Sequence, residues 1–259
     1  MYNFSVRKNE KSFRYIKELE SKMIKDLYLE VKDNILDLGC GDGVLTKNLS
    51  IKVPMGRVIA IDASERMIDT AKKMKGSNLQ FRLMNINEMK FKERFDLIFS
   101  NEALHYVKDH KKLLNNCNEI LNYKGKIRFS FAGDGNCHNF YEVVKEIMSE
   151  KKYSTYFENF EWPWYMPSIK DYKDLIYKTK NFKDIEIYCE NEDKYFKNED
   201  KLIEWIDEIV IVPFINVLPE KMKKMFRNKV VSKMIQKTNK GNGIYLENFT
   251  RINVLAQKI

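Results

Sequence analysis

A short apolar run followed by three closely spaced glycines constrains this 259-residue sequence more than any other feature. Ile35, Leu36 and Leu38 predict a buried strand, and the segment after Gly43 predicts a helix. Glycine has no Cβ, so the turn between them can adopt a positive φ and let a ligand approach the backbone. The N–H groups in the first turn of a helix favour a polar or anionic group. The pattern therefore predicts a nucleoside-containing ligand at the carboxyl edge of a parallel sheet.

A nicotinamide dinucleotide is the first ligand to consider, and the spacing of the glycines argues against it. The dinucleotide fingerprint G-x-G-x-x-G needs Gly or Ala three residues after its second glycine, and Val44 occupies that place here. Asp37 lies just before the loop, where its carboxylate suits an ammonium group of the ligand; a structural role in holding the loop is equally open. Asp62 ends the next apolar run, and its carboxylate can accept both hydroxyls of a ribose.

The stretch from Asp37 to Gly43, Asp-Leu-Gly-Cys-Gly-Asp-Gly, resembles the first motif of class I S-adenosylmethionine-dependent methyltransferases, Asp-x-Gly-x-Gly-x-Gly, at every fixed position. Further segments resemble later parts of that family in the same order. Residues 57–62 are similar to the second strand with its ribose-binding acid, and residues 79–86 to the third strand with its adenine-contacting pair. Residues 95–106 are similar to the fourth strand and the segment that follows it.

The resemblance implies a Rossmann-like α/β fold, with a seven-stranded, mostly parallel sheet and an antiparallel last strand. It also implies S-adenosyl-L-methionine as the cofactor and S-adenosyl-L-homocysteine as the product. The implied cofactor-binding residues are Asp37, Gly39, Cys40, Gly41, Asp62, Ala63, Met67, Asn85, Ile86, Asn101, Ala103 and Leu104. Many family members have Asp in place of Asn85, whose side-chain carbonyl can still accept from adenine. Cys40 also suits a small core filler, and Met67 a helix core.

The composition excludes several classes of protein. No run approaches the roughly 18–20 apolar residues that span a bilayer, and the first residues lack the apolar core of a secretion signal. The four cysteines form no C-x-x-C pair, and no cluster of His, Asp and Glu has the spacing of metal ligands. We therefore expect a cytoplasmic protein with reduced thiols, no membrane contact and no bound metal. The sequence leaves its oligomeric state open.

Alternating strand and helix patterns predict a parallel sheet with helices on both faces. The resemblance implies that residues 1–259 form a single class I methyltransferase domain. The predicted division is a cofactor-binding core at 1–133, cap inserts at 134–181 and 190–243, and closing strands at 182–189 and 244–259. An amphipathic helix is predicted over residues 9–29, and Tyr2 and Phe4 are candidates for a lid over the cofactor. The inserts are therefore where this chain differs from a minimal fold of this kind.

The layout of these inserts resembles the trans-aconitate and juvenile-hormone-acid methyltransferases. The resemblance depends on the segment Asn101–His105 and on a loose pattern of Trp205-Ile, Pro213-Phe and Leu218-Pro. It implies methyl transfer to a small molecule, with a carboxylic acid as the first hypothesis. Amine, hydroxyl and carbon acceptors remain open, because fold alone does not decide the substrate.

His105 is the candidate catalytic residue, since it follows the fourth predicted strand at the edge where the transferred methyl group would emerge. A pKa of about 6.5 would let it take a proton from a hydroxyl or amine acceptor. A carboxylate acceptor is already ionised, so His105 could instead hydrogen-bond the anion; a packed histidine without a role in the reaction is the third interpretation. Trp164 and Tyr165 are candidates for an apolar substrate wall, with plain core of the cap as the alternative.

Two other functions stay open. The net charge is +9, and residues 220–240 carry eight Lys and Arg residues against one acid, on a predicted amphipathic helix. This basic helix is typical of a solvated face, and it also raises the hypothesis of an RNA or protein methyltransferase, although no nucleic-acid-binding motif accompanies it. A non-catalytic S-adenosylmethionine-binding protein is the third hypothesis, because the glycine loop and Asp62 indicate binding but not turnover.

Overall fold

The computed structural model describes residues 23–24 and 27–259. The lid candidates Tyr2 and Phe4, and most of the helix predicted over residues 9–29, lie outside the described residues. The described part divides into two compact units. Gly135–Pro163 and Asn191–Thr250 form one, which we call the helical unit; the residues up to Asp134, Trp164–Glu190 and Arg251–Ile259 form the other, the sheet unit.

Nine strands are present within the described residues. They are β1 (Asn34–Leu38), β2 (Arg57–Asp62), β3 (Leu79–Leu83), β4 (Phe95–Asn101), β5 (Leu121–Ala132), β6 (Phe182–Asn191), β7 (Lys194–Phe196), β8 (Tyr245–Glu247) and β9 (Thr250–Lys258). Seven form one sheet in the order β3-β2-β1-β4-β5-β9-β6, and β7 pairs with β8 separately. Strands β1 to β5 pair in parallel, and β9 runs antiparallel to β5. The predicted Rossmann-like fold class is confirmed.

The helices of the described residues include several that begin at a capping residue recognisable in the sequence. They are α1 (Val44–Lys52), α2 (Glu65–Ala71), α3 (His110–Ile120), α4 (His138–Met148), α5 (Ser154–Phe157), α6 (Ile169–Thr179), α7 (Glu199–Trp205), α8 (Val212–Ile215) and α9 (Glu220–Thr238). Ser64, Asp109 and Ser168 cap α2, α3 and α6, each accepting a hydrogen bond from a first-turn amide. These caps fix where the helices begin.

The core of the sheet unit lies on both faces of the sheet. On one face, Leu36 packs in a cluster with Leu114 of α3 and Ile176 of α6. On the other face, Ile35 packs in a cluster with Leu49 of α1. All five side chains are fully buried, and each contributes about 1.5–3 kcal/mol to folding. Burial on both faces explains why the central strands are continuous apolar runs instead of alternating patterns.

The structure differs from the sequence expectation in the inserts. Helix α6 belongs to the sheet unit, although residues 134–181 were expected in a cap, because the apolar spacing of Tyr172 and Ile176 buries this helix against α3. The closing strand expected over residues 244–259 is two strands, of which only β9 joins the main sheet. In the helical unit, α7 is α-helical only to Trp205 and continues as a π-helical turn over Ile206–Val210.

The helical unit has an aromatic core of its own. Phe214 lies at its centre, with ring centroids 5.1 Å from Phe160, 5.4 Å from Trp162 and 5.8 Å from Phe140. Two of these three pairs are edge-to-face, a geometry that packed aromatic rings favour. Phe160 and Trp162 therefore contribute core to this unit.

Candidate functional site

The glycine loop between β1 and α1 is tied to the neighbouring strand by its backbone. The amides of Gly39 and Cys40 both donate to the carbonyl oxygen of Ile61, at 2.8 and 3.0 Å. Gly39 has a φ of 77°, and an added Cβ would lie 2.2 Å from the Cβ of Ala103. Gly41 has a φ of 54°, and an added Cβ would meet no described atom within 4 Å. The loop is packed at Gly39 and open at Gly41, where a ligand can approach the backbone.

Asp62 lies at the end of β2 with its carboxylate fixed by two backbone amides. Its Oδ2 accepts from the amide of Gly41 at 3.0 Å, and its Oδ1 from the amide of Ser64 at 2.8 Å. Ser64 is the cap of α2, so Asp62 is not needed for that role. Each carboxylate oxygen has a second lone pair, and the side chain is only partly buried. The arrangement suits recognition of two adjacent hydroxyls.

Asp37 is in a different environment, because its side chain is only 2% exposed. Its Oδ2 accepts from the hydroxyl of Thr46 at 2.6 Å. Burial, and to a smaller extent the nearby carboxylate of Asp62, raises the pKa of Asp37 to about 7. A cation beside the carboxylate would favour its charged form. The geometry is compatible with both roles that the sequence left open, a partner for the cofactor's ammonium group and a structural acid.

Three neighbouring residues of the predicted set differ in exposure. Cys40 is 9% exposed and packs with Ala60 and Ile68, and burial raises the pKa of its thiol. The thiol is therefore unreactive, as a core filler should be. Ala63 is exposed and Met67 is partly exposed, whereas Ile68 fills the core. Met67 thus lies on a side of α2 that a ligand could reach.

Asn85 begins the short 3₁₀ turn Ile86–Glu88, and its side chain already has partners. Its Oδ1 accepts from the backbone amide of Asn87 at 2.9 Å and from the side-chain amide of the same residue at 3.1 Å. Both lone pairs of this oxygen are then in use, so the Nδ2 amide is the group better suited to face a base. The Cδ1 of Ile86 lies 3.9 Å from the Cβ position of Gly39, so Ile86 does border the glycine loop.

The loop after β4 lies against the glycine loop. Ser100 donates through Oγ to the carbonyl oxygen of Leu38 at 2.7 Å, which joins the ends of β4 and β1. Asn101 ends β4 and is partly buried, Ala103 contacts the Gly39 position, and Leu104 is fully buried. The predicted residues from the two loops are therefore brought together at the carboxyl edge of the sheet.

His105 is also at this edge, but it is 8% exposed. Burial, with the positive charge of Arg251 as the next cause, lowers the pKa of His105 to about 3. Its Nδ1 has no hydrogen-bond partner among the described residues. Arg251 itself forms an ion pair with Glu102, which has a φ of 58°. An imidazole with this pKa is neutral at physiological pH and is a poor proton acceptor, so hydrogen bonding to a substrate fits it better than general-base catalysis.

Trp164 and Tyr165 lie next to His105 through backbone contacts. The amide of Tyr165 donates to the carbonyl oxygen of His105 at 2.8 Å, and the Nζ of Lys108 donates to the carbonyl oxygen of Trp164 at 3.2 Å. Both aromatic side chains are partly exposed. They belong to the sheet unit, unlike Trp162 two residues earlier. Their position beside the loop after β4 is compatible with the predicted substrate wall.

Three residues of this edge were not identified from the sequence. Thr46 is the hydrogen-bond partner of Asp37, and Glu102 and Arg251 form the ion pair beside His105. Thr46 could have been found from its place in the first turn of the predicted helix. Arg251 could not, because its position follows from the pairing of β9 with β5, and the register of that pairing is a tertiary property.

The lysines of α9 in the helical unit are largely paired with acids. Glu142 and Glu146 of α4, and Glu150 just after it, pair with Lys237, Lys233 and Lys229 in turn. Arg227 pairs with Asp207 at 2.5 Å and Lys223 with Glu220 at 2.8 Å. Five of the eight basic residues of this segment thus have an acidic partner, which reduces the positive charge that a polyanion would meet.

Two classes of feature are absent from the part of the chain that the structure describes. None of its helices is both long enough and apolar enough to cross a membrane. No group of three or more His, Cys, Asp and Glu side chains is arranged to hold a metal ion within the same residues.

Comparison with known proteins identifies the family to which this chain belongs. A family model described as a methyltransferase domain matches residues 29–208. Malonyl-[acyl-carrier protein] O-methyltransferase 1 from Ilyobacter polytropus is 32% identical over 126 residues, which cover 48% of this chain and 47% of that protein. This chain therefore spans about half the length of that relative.

Two relatives match over more of the chain. Juvenile hormone acid O-methyltransferase from Bombyx mori is 26% identical over 179 residues, covering 66% of this chain and 64% of that protein. Trans-aconitate 2-methyltransferase from Enterobacter sp. (strain 638) is 23% identical over 239 residues, covering 92% of this chain and 91% of that protein. The resemblance stated from the motifs and the insert layout is confirmed by these matches.

Proposed function

We propose that this chain, which belongs to the methyltransferase-domain family, transfers the methyl group of S-adenosylmethionine to a small carboxylic acid. The family supports S-adenosylmethionine-dependent methyl transfer. Turnover by this chain, the acceptor and the roles of individual residues are the proposal.

The residues at the carboxyl edge of the sheet fit the cofactor. The open side of the loop at Gly41 leaves room for a ligand close to the backbone, and the fixed carboxylate of Asp62 is oriented to accept ribose hydroxyls. Asn85 and Ile86 would contact adenine, and Asp37 would face the ammonium group. When bound, S-adenosylmethionine supplies a methyl group already activated by its sulfonium. The protein then has to align the acceptor with that carbon and exclude water.

The low basicity of His105 supports a carboxylic acid as the acceptor. An amine or hydroxyl must lose a proton when it is methylated near neutral pH, which calls for a base at the site. His105, with a pKa of about 3, does not supply one. A carboxylic acid is already ionised above about pH 5 and needs only to be positioned. The three relatives described above are named for malonyl, juvenile hormone acid and trans-aconitate substrates, all of which carry carboxyl groups.

The RNA or protein alternative is weaker, because its motivation was the basic helix α9. Three of its six lysines are engaged with Glu142, Glu146 and Glu150. The non-catalytic alternative is left to experiment, since binding residues alone do not establish turnover.

The first experiment is calorimetric titration of S-adenosylmethionine and S-adenosylhomocysteine into the wild type and Asp62→Ala. We expect micromolar binding that weakens at least tenfold in the variant. Asp69→Ala is the matched control, since it removes an exposed aspartate from the helix that follows and should leave binding unchanged. A folded wild type that binds neither compound would overturn the cofactor assignment.

The second experiment measures transfer of a labelled methyl group to a panel of small acids. The panel contains dicarboxylic, tricarboxylic and long-chain monocarboxylic acids, each with the matching amine and alcohol. We expect methylation of at least one acid, with a rate at saturating S-adenosylmethionine that shows no titration of the acid or of His105 from about pH 6 to about pH 9. The cofactor is kept saturating because Asp37, with a pKa of about 7, can alter cofactor affinity in this range. Methylation of an amine or alcohol in place of the acids would reject the proposed acceptor, and no transfer to any member would favour the non-catalytic alternative.

A further inference from the structure

A buried hydrogen-bonded pair lies beside the loop after β4 and is not used by the proposed function. His110, the first residue of α3, is 2% exposed, and Tyr172 of α6 is fully buried. The hydroxyl of Tyr172 is 3.1 Å from Nδ1 of His110, and Nε2 of His110 is 2.9 Å from the carbonyl oxygen of Leu104. The three residues form a chain of hydrogen bonds from α6 to the site loop, although 62 positions separate the tyrosine from the histidine in sequence.

The direction of both hydrogen bonds follows from their chemistry. A carbonyl oxygen only accepts, so Nε2 of His110 must carry the proton. Burial lowers the pKa of His110 to about 4, so the ring is neutral and Nδ1 must accept. Burial also raises the pKa of Tyr172 well above its usual value, so its hydroxyl keeps the proton that it donates. A single tautomer of His110 satisfies both partners.

The chain of hydrogen bonds fixes the loop that carries the site. Leu104 follows directly on Ala103, which contacts the Gly39 position, and it precedes His105. The carbonyl oxygen of His105 is held in addition by the amide of Tyr165. Of two successive carbonyls of the loop, the first is thus tied to His110 of α3 and the second to the segment that leads into α6. The rings of His110 and Tyr172 both pack on Phe131 of β5, with centroids 5.1 and 5.0 Å away, which restricts their movement.

We propose that Tyr172 and His110 are positioning residues, which hold the loop after β4 against the glycine loop and thereby set the affinity for the methionine part of the cofactor. The inference rests on the proposed function, since it takes the loop at Asn101–Leu104 to border the methionine end of S-adenosylmethionine. It assigns the pair a role that neither residue type nor sequence spacing indicated.

The competing interpretation is that the pair only stabilises the core. The two interpretations differ in which ligand they affect. A loosened loop weakens binding of the amino-acid part of the ligand and leaves the nucleoside contacts at Asp62 intact. A general loss of stability lowers the melting temperature without such selectivity.

The test compares two ligands in two variants by calorimetry. The ligands are S-adenosylhomocysteine and 5′-methylthioadenosine, which shares the nucleoside and the thioether but lacks the amino acid. Tyr172→Phe removes only the hydroxyl and keeps the ring that packs on Phe131. Ile176→Val is the matched control, because it removes one methyl group from a fully buried residue one turn further along α6 and leaves His110 untouched.

We expect Tyr172→Phe to bind S-adenosylhomocysteine about tenfold more weakly than the wild type and 5′-methylthioadenosine within about twofold of it. Ile176→Val should bind both ligands like the wild type, even if its melting temperature falls as far as that of Tyr172→Phe. Equal loss for both ligands, or an unchanged affinity of Tyr172→Phe for S-adenosylhomocysteine, would overturn the proposal. So would an Ile176→Val variant that loses affinity selectively.

A spectroscopic measurement separates this inference from the proposed function. In nitrogen-15 spectra of the histidine rings, His110 of the wild type should show the Nε2–H tautomer without titrating from about pH 5.5 to about pH 8. Tyr172→Phe should change the shift of its Nδ1. If the wild type binds no S-adenosylhomocysteine, the proposed function fails, and this spectrum still tests the hydrogen-bond chain. An Nδ1–H tautomer of His110 would refute the proposed hydrogen bonds, whatever the ligand affinities are.

Discussion

At the scale of single residues, the two carboxylates of the site have different surroundings. Asp62 is partly exposed and fixed by two backbone amides, whereas Asp37 is buried with the hydroxyl of Thr46. Desolvation disfavours the charged form of a buried carboxylate. Asp37 therefore carries a cost in the folded protein that a bound cation could relieve.

The first prediction concerns Asp37→Asn. The pKa of Asp37 is 3.8 in a model peptide and about 7 in the folded protein. The folded state keeps a proton that the unfolded chain releases, so stability falls as pH rises from about 4 to about 7 and changes little above that. Asparagine does not titrate, so Asp37→Asn does not lose stability in this way. We expect the free energy of unfolding of the variant minus that of the wild type to be about 1–3 kcal/mol larger at pH 8 than at pH 5.

Urea denaturation at the two pH values measures this difference. Asn48→Ala, at an exposed position of α1, is the control; neither side chain titrates, so its stability difference from the wild type should be the same at both pH values. A stability gap for Asp37→Asn that is the same at pH 5 and pH 8 would mean that Asp37 is charged in the folded protein throughout this range.

The second prediction compares alanine at two glycines of the loop. Both have a positive φ, which costs alanine about 1–2 kcal/mol. At Gly39 the new Cβ would also collide with Ala103, so we expect Gly39→Ala to lose about 2–4 kcal/mol in total. Gly41→Ala should lose only the smaller amount but should weaken cofactor binding, because its Cβ enters the open side of the loop. Thermal unfolding and calorimetry separate the two effects; a Gly41→Ala variant that binds normally would show that no ligand approaches this position.

At the scale of secondary-structure elements, helix α4 depends on a cap from outside its own segment. Its N-cap residue Cys137 has a φ of 52° and gives no side-chain cap. The fully buried carboxylate of Glu247 in β8 instead accepts from the amides of Asn139 and Phe140, at 3.0 and 2.9 Å. A negative charge at a helix N-terminus is favourable. The two short strands β7 and β8 thus help to fix the start of α4.

The third prediction follows from this cap. Glu247→Ala leaves two buried helix amides without their acceptor, and we expect a loss of about 2–3 kcal/mol in the free energy of unfolding. Glu247→Gln keeps one carbonyl oxygen and should lose less. Glu161→Ala, at an exposed position of the same unit, should be neutral. The measurement is chemical denaturation, and equal stability of Glu247→Ala and the wild type would mean that water replaces the carboxylate.

At the scale of the whole molecule, the net charge of +9 is a poor guide to a partner. Three glutamates, two in α4 and one just after it, lie opposite three lysines of α9. Single exposed ion pairs stabilise a fold little. Their larger effect here is to neutralise the face that made α9 look basic in the sequence.

The fourth prediction concerns RNA. If the basic helix does not serve as a nucleic-acid surface, binding of a 20-nucleotide RNA should be no tighter than the non-specific range, a Kd of about 1–100 μM at physiological salt. Lys221→Glu combined with Lys224→Glu should not alter methylation of a small acid. Fluorescence anisotropy over a salt series measures the affinity. Nanomolar binding that these two substitutions abolish would favour the RNA methyltransferase alternative.

The sequence by itself determined the parts of this protein that depend on local backbone geometry. The glycine spacing, the apolar strands and the acid at the end of the second strand each act within a few residues, and their pattern specified the parallel sheet, the loop and the place of Asp62. The parallel pairing of the described strands up to β5 followed from the alternation of strand and helix. The comparisons confirmed the family that these motifs implied.

Only the tertiary structure decided the chemistry of the groups around that loop. Three features involve residues that are distant in sequence. They are the low pKa of His105, the hydrogen bonds from Tyr172 through His110 to Leu104, and the glutamates opposite the lysines of α9. Burial and hydrogen bonding depend on what packs against a side chain, and a residue type at a given spacing does not specify its neighbour. For the same reason, α6 was expected in a cap and packs on the sheet instead, where it reaches the site.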